Sequence, residues 1–312
     1  MRFLITGAYG QDGRYLVSAL RKLGNEVVEV GRTRSRYFSN GVLAERASPR
    51  LEDPIESIEF LNSQQPDCIL HFAAIHFPAM IQNGDFDRSE MIACHFTTTQ
   101  NFLNWILERG QGKLIVALSS QMYSTSSTNS LINEQTALNP STFYGKTKSD
   151  AFELIRLYRD SYNVNASGAI LFNHTSSRSK KDFLFPFLAA SIRESIRNGY
   201  KDIVIRNASA TVDIGSSDEY CEGVISMASE NQLTDYVFAS GVAVSISKIV
   251  QDALRALNLE DKISVSSRSE APSDCLVGNS IKAQRNLLWA PRKKGSEILV
   301  EMVEGISKSD QV

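Results

Sequence analysis

Three glycines, Gly7, Gly10 and Gly13, stand at three-residue intervals between the apolar run RFLIT and a stretch with helical periodicity. A strand that turns through glycines into a helix can bring backbone amides up to a phosphate. The first glycine allows the tight turn, the second lets the backbone approach a pyrophosphate, and the third lets helix and strand pack closely. Alone, the pattern is equally that of a glycine-rich turn. Its position at the first strand–helix junction of a longer alternation is what gives it weight.

That alternation runs through the first half of the chain. Tyr15, Leu16, Ala19, Leu20 and Leu23 recur at helical spacing, and Gly24 ends the helix. EVVEV then reads as a strand, PIESIEFLNSQQ as a helix opened by proline, and DCILHFAA as a buried strand. The long pattern RSEMIACHFTTTQNFLNWILERG predicts one helix, KLIVALSS a strand, YGKTKSDAFELIRLYRDSY a helix and NASGAILFN a strand. Apolar strands alternating with helices predict a doubly wound parallel sheet of Rossmann type, covered on both faces. The dinucleotide-binding part should occupy residues 1–173, with later segments (about 202–242) returning to it. Residues 174–312 should mainly form a smaller mixed region that binds substrate.

Composition excludes several classes of function. A net charge of −2 from 33 basic and 35 acidic residues offers no global field for nucleic acid or a membrane surface. No apolar run approaches the roughly 20 residues that span a bilayer, and MRFLITG lacks the form of a signal peptide. Cys68, Cys94, Cys221 and Cys275 are scattered, which predicts free thiols in a reducing cytoplasm. The four histidines show no zinc spacing, so no metal is expected.

Two further groups carry chemistry. After Val30, where many such folds place an acid against the ribose 2′-hydroxyl, the chain reads Gly31 and then Arg32 and Arg34. Guanidinium groups suit a 2′-phosphate, so NADP is expected over NAD; the other reading is a solvated basic loop. Tyr144 and Lys148 form Y-x-x-x-K on one helix face. A neighbouring ammonium is expected to lower the phenol pKa so that Tyr144 exchanges a proton near neutrality. Ser119 and Ser120 end a strand about 25 residues upstream and should face the same cleft. Serine to polarise an oxygen, tyrosine to handle its proton and lysine to hold a ribose together suit hydride transfer at a carbinol or carbonyl carbon.

With these residues in place, the chain resembles the extended short-chain dehydrogenase/reductases that act on nucleotide-linked sugars, and within them the GDP-mannose 4,6-dehydratase branch. LITGAYGQDGRYL is similar to that branch's TG-x-x-GQDG-x-YL, and NPSTFYGKTKSDAF to its SPYG-x-x-K helix. GAILFNHTSSR, DYVFASGVAVSISKIV and SDCLVGNSIKAQRNLLWAPR likewise match its later segments, so the likeness spans nearly the whole chain. The resemblance implies that Gln11 and Asp12 join the glycines at the cofactor, with Ala73 and Ala74 at the end of the following strand. It places His76, Asn173, Arg178 and Arg268 near the substrate, gives Tyr123 a supporting part in the pocket, and gives His174 a packing or loop-fixing part. It also implies a homodimer or homotetramer paired through the helices at about 87–109 and 143–162.

The chain departs from the branch at two places. A Ser/Thr-Ser-Glu triplet there supplies the glutamate that removes the sugar C5 proton before water leaves C6; here the run is Ser119-Ser120-Gln121. An amide cannot take that proton. The branch also carries an arginine before an aspartate, facing the substrate diphosphate, where this chain reads Thr211-Val212-Asp213. The expectation is an NADP-dependent enzyme working by hydride transfer at C4 of a nucleotide-diphosphate sugar, as a 4-keto reductase or a 4-oxidising enzyme. A 4,6-dehydratase with another base is the alternative, and a non-catalytic nucleotide sensor is the alternative of another class.

Overall fold

The computed structural model describes residues 1–39, 41–75, 88–124, 131–269 and 275–305. Strand β1 (Arg2–Thr6), helix α1 (Gln11–Lys22) and strand β2 (Glu26–Val30) open the chain, followed by β3 (Arg34–Ser39) and β4 (Val42–Ala47). Next come α2 (Pro54–Gln64) and β5 (Cys68–His71), then α3 (Arg88–Ile92), a π-helical turn (Ala93–Thr97) and α4 (Thr98–Arg109) in one continuous run. Strand β6 (Lys113–Ser119), a 3₁₀ turn (Ser120–Met122), α5 (Phe143–Tyr162) and β7 (Ala166–Leu171) complete the first part. The rest holds β8 (Asn173–Thr175), α6 (Leu184–Arg197), β9 (Ile203–Ile205), β10 (Thr211–Val212), β11 (Ile214–Ser216) and α7 (Ser217–Ser229). After them follow β12 (Tyr236–Phe238), β13 (Val244–Ser245), α8 (Ile246–Ala256), β14 (Val265–Ser267), α9 (Ile281–Asn286) and α10 (Gly295–Glu304).

The main sheet has the order β12-β7-β6-β5-β1-β2-β3-β4. Its six strands from β12 to β2 are parallel. Strict alternation within them feeds two cores. Leu4, Ile69, Leu114, Val116 and Ile170 face Phe60 of α2, Phe102 of α4 and Phe152 of α5. Phe3, Ile5, Leu70 and Ile115 face Leu16 of α1 and Val224 of α7. Each such aliphatic side chain, removed from water, contributes about 1.5–3 kcal/mol. This is the doubly wound Rossmann arrangement expected from the sequence.

The far edge differs from a purely parallel sheet. Strands β3 and β4 form an antiparallel hairpin added to β2, and Gly41 takes φ +75° at its turn. The segment after Val30 that carries Arg32 and Arg34 is therefore partly strand, with Arg34 as its first residue. The predicted helix at 88–110 also carries an unpredicted feature, the π-helical turn at its middle.

Beyond β7, helix α7 packs on α1 and β12 rejoins the main sheet, while β9 pairs with β14 in a separate two-stranded sheet. A third core lies there, with Leu188 and Ile192 of α6, Ile249 and Val250 of α8 and Leu299 of α10. Asp235 joins the two parts of the sheet edge. It takes both guanidinium nitrogens of Arg159 at 2.9 Å and the Gly168 amide at 2.9 Å. None of the helices among the described residues is long and apolar enough to cross a membrane.

Candidate active site

The strand order reverses direction between β1 and β5, the place where sheets of this kind bind ligands, beyond the carboxyl ends of the strands. The glycine turn leaves β1 here, and the segment Phe72–Ile75 leaves β5 beside it. Gly7 has φ +71°, and a β-carbon on it would lie 2.7 Å from the Phe72 carbonyl. A β-carbon on Gly13 would lie 2.2 Å from the Gly7 carbonyl oxygen. Both positions exclude any side chain. Gly10 is different: its β-carbon would meet only the Gly7 oxygen, at 3.1 Å. It caps α1 without a side-chain acceptor for the first-turn amides. The cradle fits a pyrophosphate, with amides at a helix N-terminus and no side chain in the way.

Gln11 and Asp12 are committed to the protein. Ser179 donates to Gln11 Oε1, and Asp12 Oδ2 lies 3.0 Å from His174 Nε2. Burial pushes the Asp12 carboxyl up, but His174 and the hydrogen bonds around it outweigh burial and hold it below its usual range. The same pairing raises His174 against its burial. GQDG and LFNH, which the sequence presents as separate strings, thus meet in space.

At the end of β2, the Tyr9 ring occupies the space beside Gly31, where a β-carbon would lie 2.4 Å from Tyr9 Cδ2. Any side chain there would have to displace the Tyr9 ring and the Arg34 carbonyl, 2.6 Å away. Arg34 lies over that ring, 4.8 Å from its centroid, and 3.8 Å from Glu45. Arg32 pairs with Glu90 of α3 at 3.1 Å, and both side chains are exposed.

Ser119 ends β6 and Tyr144 stands in the first turn of α5, where the Ser119 hydroxyl hydrogen-bonds the phenol. Burial pushes the phenol up to about 12, and the serine bond offsets only part of that. Lys148 is fully buried, donates to Ala117 O at 2.8 Å and lies 6.0 Å from the Tyr144 ring centroid. Burial lowers its pKa to about 8. The expected lowering of the Tyr144 phenol by Lys148 is therefore absent here, because burial dominates and the ammonium is directed at a carbonyl.

Ser120 is buried in the 3₁₀ turn, and Gln121 follows it against the start of α5. Thr142 caps α5, accepting from the Gly145 amide at 3.0 Å and donating to Gln121 Oε1 at 3.2 Å. A β-carbon on Gly145 would lie 2.1 Å from Gln121 O, which explains the glycine after Tyr144. Gln121 is thus a wall residue tied to the helix cap.

Of the other expected residues, Ala73 and Ala74 lie beside the glycine turn and the rest are spread more widely. Ala73 donates its amide to Thr6 Oγ1 at 3.1 Å, and Ala74 follows in the same segment. His76 lies outside the described residues. Asn173 is exposed in β8, and Arg178 lies over Tyr15 of α1, 4.4 Å from its ring centroid. Arg268 is exposed after β14, and Tyr123 is buried in the core beneath the sheet. Asp213 collects donors from Ser240, Gly241 and Gly278 at 2.5–3.2 Å, so it ties three loops together.

Two buried histidines escaped sequence reasoning. His71 accepts from Thr6 Oγ1 at 2.6 Å and donates to Cys94 O at 2.9 Å. Burial and the Lys148 charge hold it down at about 3. His95, in the π-helical turn, bonds Ile75 and Thr147. Neither sits in a motif; their signal is only that a histidine replaces an apolar residue at the end of a buried strand or inside a buried helix. Among the described residues no cluster of metal-ligating side chains occurs.

The sequence profile of GDP-mannose 4,6 dehydratase matches residues 4–302. The GDP-mannose 4,6 dehydratase of Drosophila melanogaster is 26% identical over 345 residues, covering 98% of this chain and 85% of the relative. Among solved structures, RMD from Pseudomonas aeruginosa complexed with NADPH superposes with a TM-score of 0.77 at 17% identity, covering 97% of this chain and 99% of that one. The dTDP-glucose 4,6-dehydratase from Bacillus anthracis in complex with NAD gives 0.76 at 14% identity, covering 97% and 96%. The structural likenesses bear on the fold; the profile, which spans almost the entire chain, places this protein in the GDP-mannose 4,6 dehydratase family of the extended short-chain dehydrogenase/reductases.

Proposed function

We propose that this member of a nucleotide-sugar-modifying family is an NADP(H)-dependent enzyme that transfers hydride at C4 of a nucleotide-diphosphate sugar without eliminating water. The observation that carries the reading is Gln121. It follows Ser119 and Ser120 where the elimination base is expected, and its amide oxygen is tied to Thr142 at 3.2 Å. The hydride-transfer set of Ser119, Tyr144 and Lys148 is assembled beside it. Bound in the glycine cradle, the nicotinamide cofactor supplies or accepts the hydride. In the reducing direction the Tyr144 phenol, protonated at neutral pH, gives its proton to the C4 oxygen while Ser119 holds that oxygen. In the oxidising direction the C4 hydroxyl would give its proton back to Tyr144, which must first be deprotonated to accept it. Lys148, its ammonium 6.0 Å from the Tyr144 ring centroid, is the residue assigned to the cofactor ribose and adds positive charge on the side of the phenol. The preference for NADP rests on Gly31, Tyr9 and Arg34, which leave no acid at the end of β2 and present a guanidinium.

The test is turnover with a panel of 4-keto and 4-hydroxy nucleotide sugars, following NADPH absorbance and product mass. Stoichiometric consumption or formation of NADPH with a two-hydrogen change in mass is expected. A product lighter by one water, with no net change in NADPH, establishes the dehydratase instead, a reading that the family match favours. No turnover with any sugar, despite cofactor binding, points to a nucleotide sensor.

The family relationship and the surface both support a homodimer through α4 and α5. Ile92, Leu107, Leu157 and Tyr162 on this run of helices are 39–54% exposed, leaving apolar surface outward. Light scattering at micromolar concentration should give at least twice the chain mass.

A further inference from the structure

The geometry points to His95 as a positioning residue that sets the Tyr144 phenol against the segment leaving β5. The inference rests on the reading of Tyr144 as the proton-transferring group. His95 is 1% exposed and lies in the π-helical turn between α3 and α4. The wider turn leaves main-chain carbonyls without their usual helical partners. Thr98 Oγ1 donates to Ala93 O at 2.9 Å, and Thr99 Oγ1 donates to His95 O at 2.7 Å. The turn is therefore satisfied internally, and its cost is met by threonines placed just after it.

The imidazole reaches both ways from this turn. The Ile75 amide donates to Nε2 at 3.1 Å, which requires that nitrogen to be bare. The proton must then be on Nδ1, which donates to Thr147 Oγ1 at 2.8 Å. Thr147 in turn donates to the Tyr144 carbonyl at 2.9 Å. The ring also stands edge-to-face against the Tyr144 ring, with centroids 5.4 Å apart and an interplanar angle of 84°. One side chain thus holds Tyr144 by its ring and, through Thr147, by its backbone. Its other end holds Ile75, whose segment passes directly over Gly7 in the phosphate turn. The distance from the phenol to the floor of the cofactor cleft is fixed through a single neutral ring.

The variants separate these contacts. H95N keeps a donor near Thr147 but is too short for Ile75; H95Q places an acceptor near Ile75; H95F keeps the ring edge and loses both bonds. A displaced proton donor lowers turnover by up to about a hundredfold, so H95F should lose at least about tenfold in kcat, with H95N and H95Q between it and the wild type. The KM for the sugar and the Kd for NADPH should stay within about twofold. In parallel, ¹⁵N spectra of histidine-labelled protein, with and without NADPH, should show one ring, assigned to His95 by its loss in H95N and H95Q, protonated on Nδ1 and bare on Nε2 at pH 7. The Tyr144 ring resonances should shift in H95N and H95Q, which read the contact even where H95F does not fold.

A wild-type protein without hydride transfer would overturn the proposed function, while the nitrogen and tyrosine spectra still decide whether His95 holds Tyr144. Unchanged kcat in all three variants overturns the inference. So does a His95 ring protonated on Nε2, or a loss of turnover matched by equal losses in NADPH affinity and sugar KM.

Discussion

His174 Nε2 lies 3.0 Å from Asp12 Oδ2, joining residues 162 positions apart. The other ring nitrogen donates to Phe172 O at 2.8 Å, so a hydrogen bond from Nε2 to the Asp12 carboxylate puts a proton on both nitrogens, the form that the raised His174 pKa favours. The pair fastens the first turn of α1, next to the glycine turn, to β8. Both side chains are largely buried, at 16% and 21% exposure.

The pair makes stability depend on pH with a defined sign. His174 is raised in the folded state, so its contribution is complete below the unfolded histidine pKa of about 6.5 and is lost as pH rises through the folded value. Asp12 is lowered, so its contribution is complete above about 3.9 and is lost as pH falls through its folded value. H174Q should therefore cost most between about pH 4 and 6.5, on the order of 2 kcal/mol. The gap to wild type should narrow toward pH 9. Denaturant melts at pH 5.5 and 9 measure it, and an equal gap at both would show that the pair is not ionic.

The glycine turn separates folding from binding. G13A drives a β-carbon into the Gly7 carbonyl, so the helix must move off the strand, at a cost of about 2 kcal/mol or more. G10A meets only one atom, at 3.1 Å, and Gly10 already has φ −74°. That variant should melt within a few degrees of wild type yet bind NADPH at least about tenfold more weakly, or about 1.4 kcal/mol. Calorimetric melts and fluorescence titration check both. Undiminished NADPH binding in G10A would remove the pyrophosphate from this turn.

Cofactor choice is testable at the end of β2. NADPH should bind at least about tenfold more tightly than NADH. R34A should narrow the ratio because it removes the guanidinium stacked on Tyr9, and R32A should do so as well once its pairing with Glu90 is given up. Equal affinities for the two cofactors in the wild type would exclude a 2′-phosphate contact.

Much of this fold was legible because its parallel strands are apolar on both faces and its helices are periodic. Strand β1, α1 and the positions of Gly7, Tyr144 and Lys148 follow from pattern alone. The hairpin β3–β4 was not read, although Asn40-Gly41 between RSRYFS and VLAERA is a hairpin signal. The π-helical turn could not be read, because its local sequence keeps helical character and its extra residue shows only in the hydrogen bonds. His95 was hidden for the same reason: its partners, Ile75 and Thr147, are 20 and 52 positions away. The effect of Lys148 on Tyr144 was misjudged from spacing, since i and i+4 fix proximity but not where an ammonium points.

Lys148 sets stability against function. Its ammonium is fully buried and bonded to the Ala117 carbonyl at 2.8 Å, and its pKa falls from 10.5 to about 8. A depression of that size corresponds to about 3 kcal/mol of unfavourable free energy when the group is charged. Between pH 8 and 10.5 the unfolded chain binds a proton that the folded chain has lost, so folding stability climbs with pH across that window. Below it the penalty is constant. K148M keeps the length of the side chain, removes the charge and leaves the Ala117 carbonyl without this donor, which returns about 1–2 kcal/mol of the gain. The cofactor-free variant should therefore be more stable than wild type by about 1–2 kcal/mol at pH 7. That advantage should shrink as pH rises toward 10, while turnover falls to background. Denaturant titrations at pH 7 and 10 measure the first effect and the NADPH assay the second. A variant less stable than wild type at pH 7 would mean that the ammonium is a structural tie rather than a charge held in the cleft against the fold's own preference.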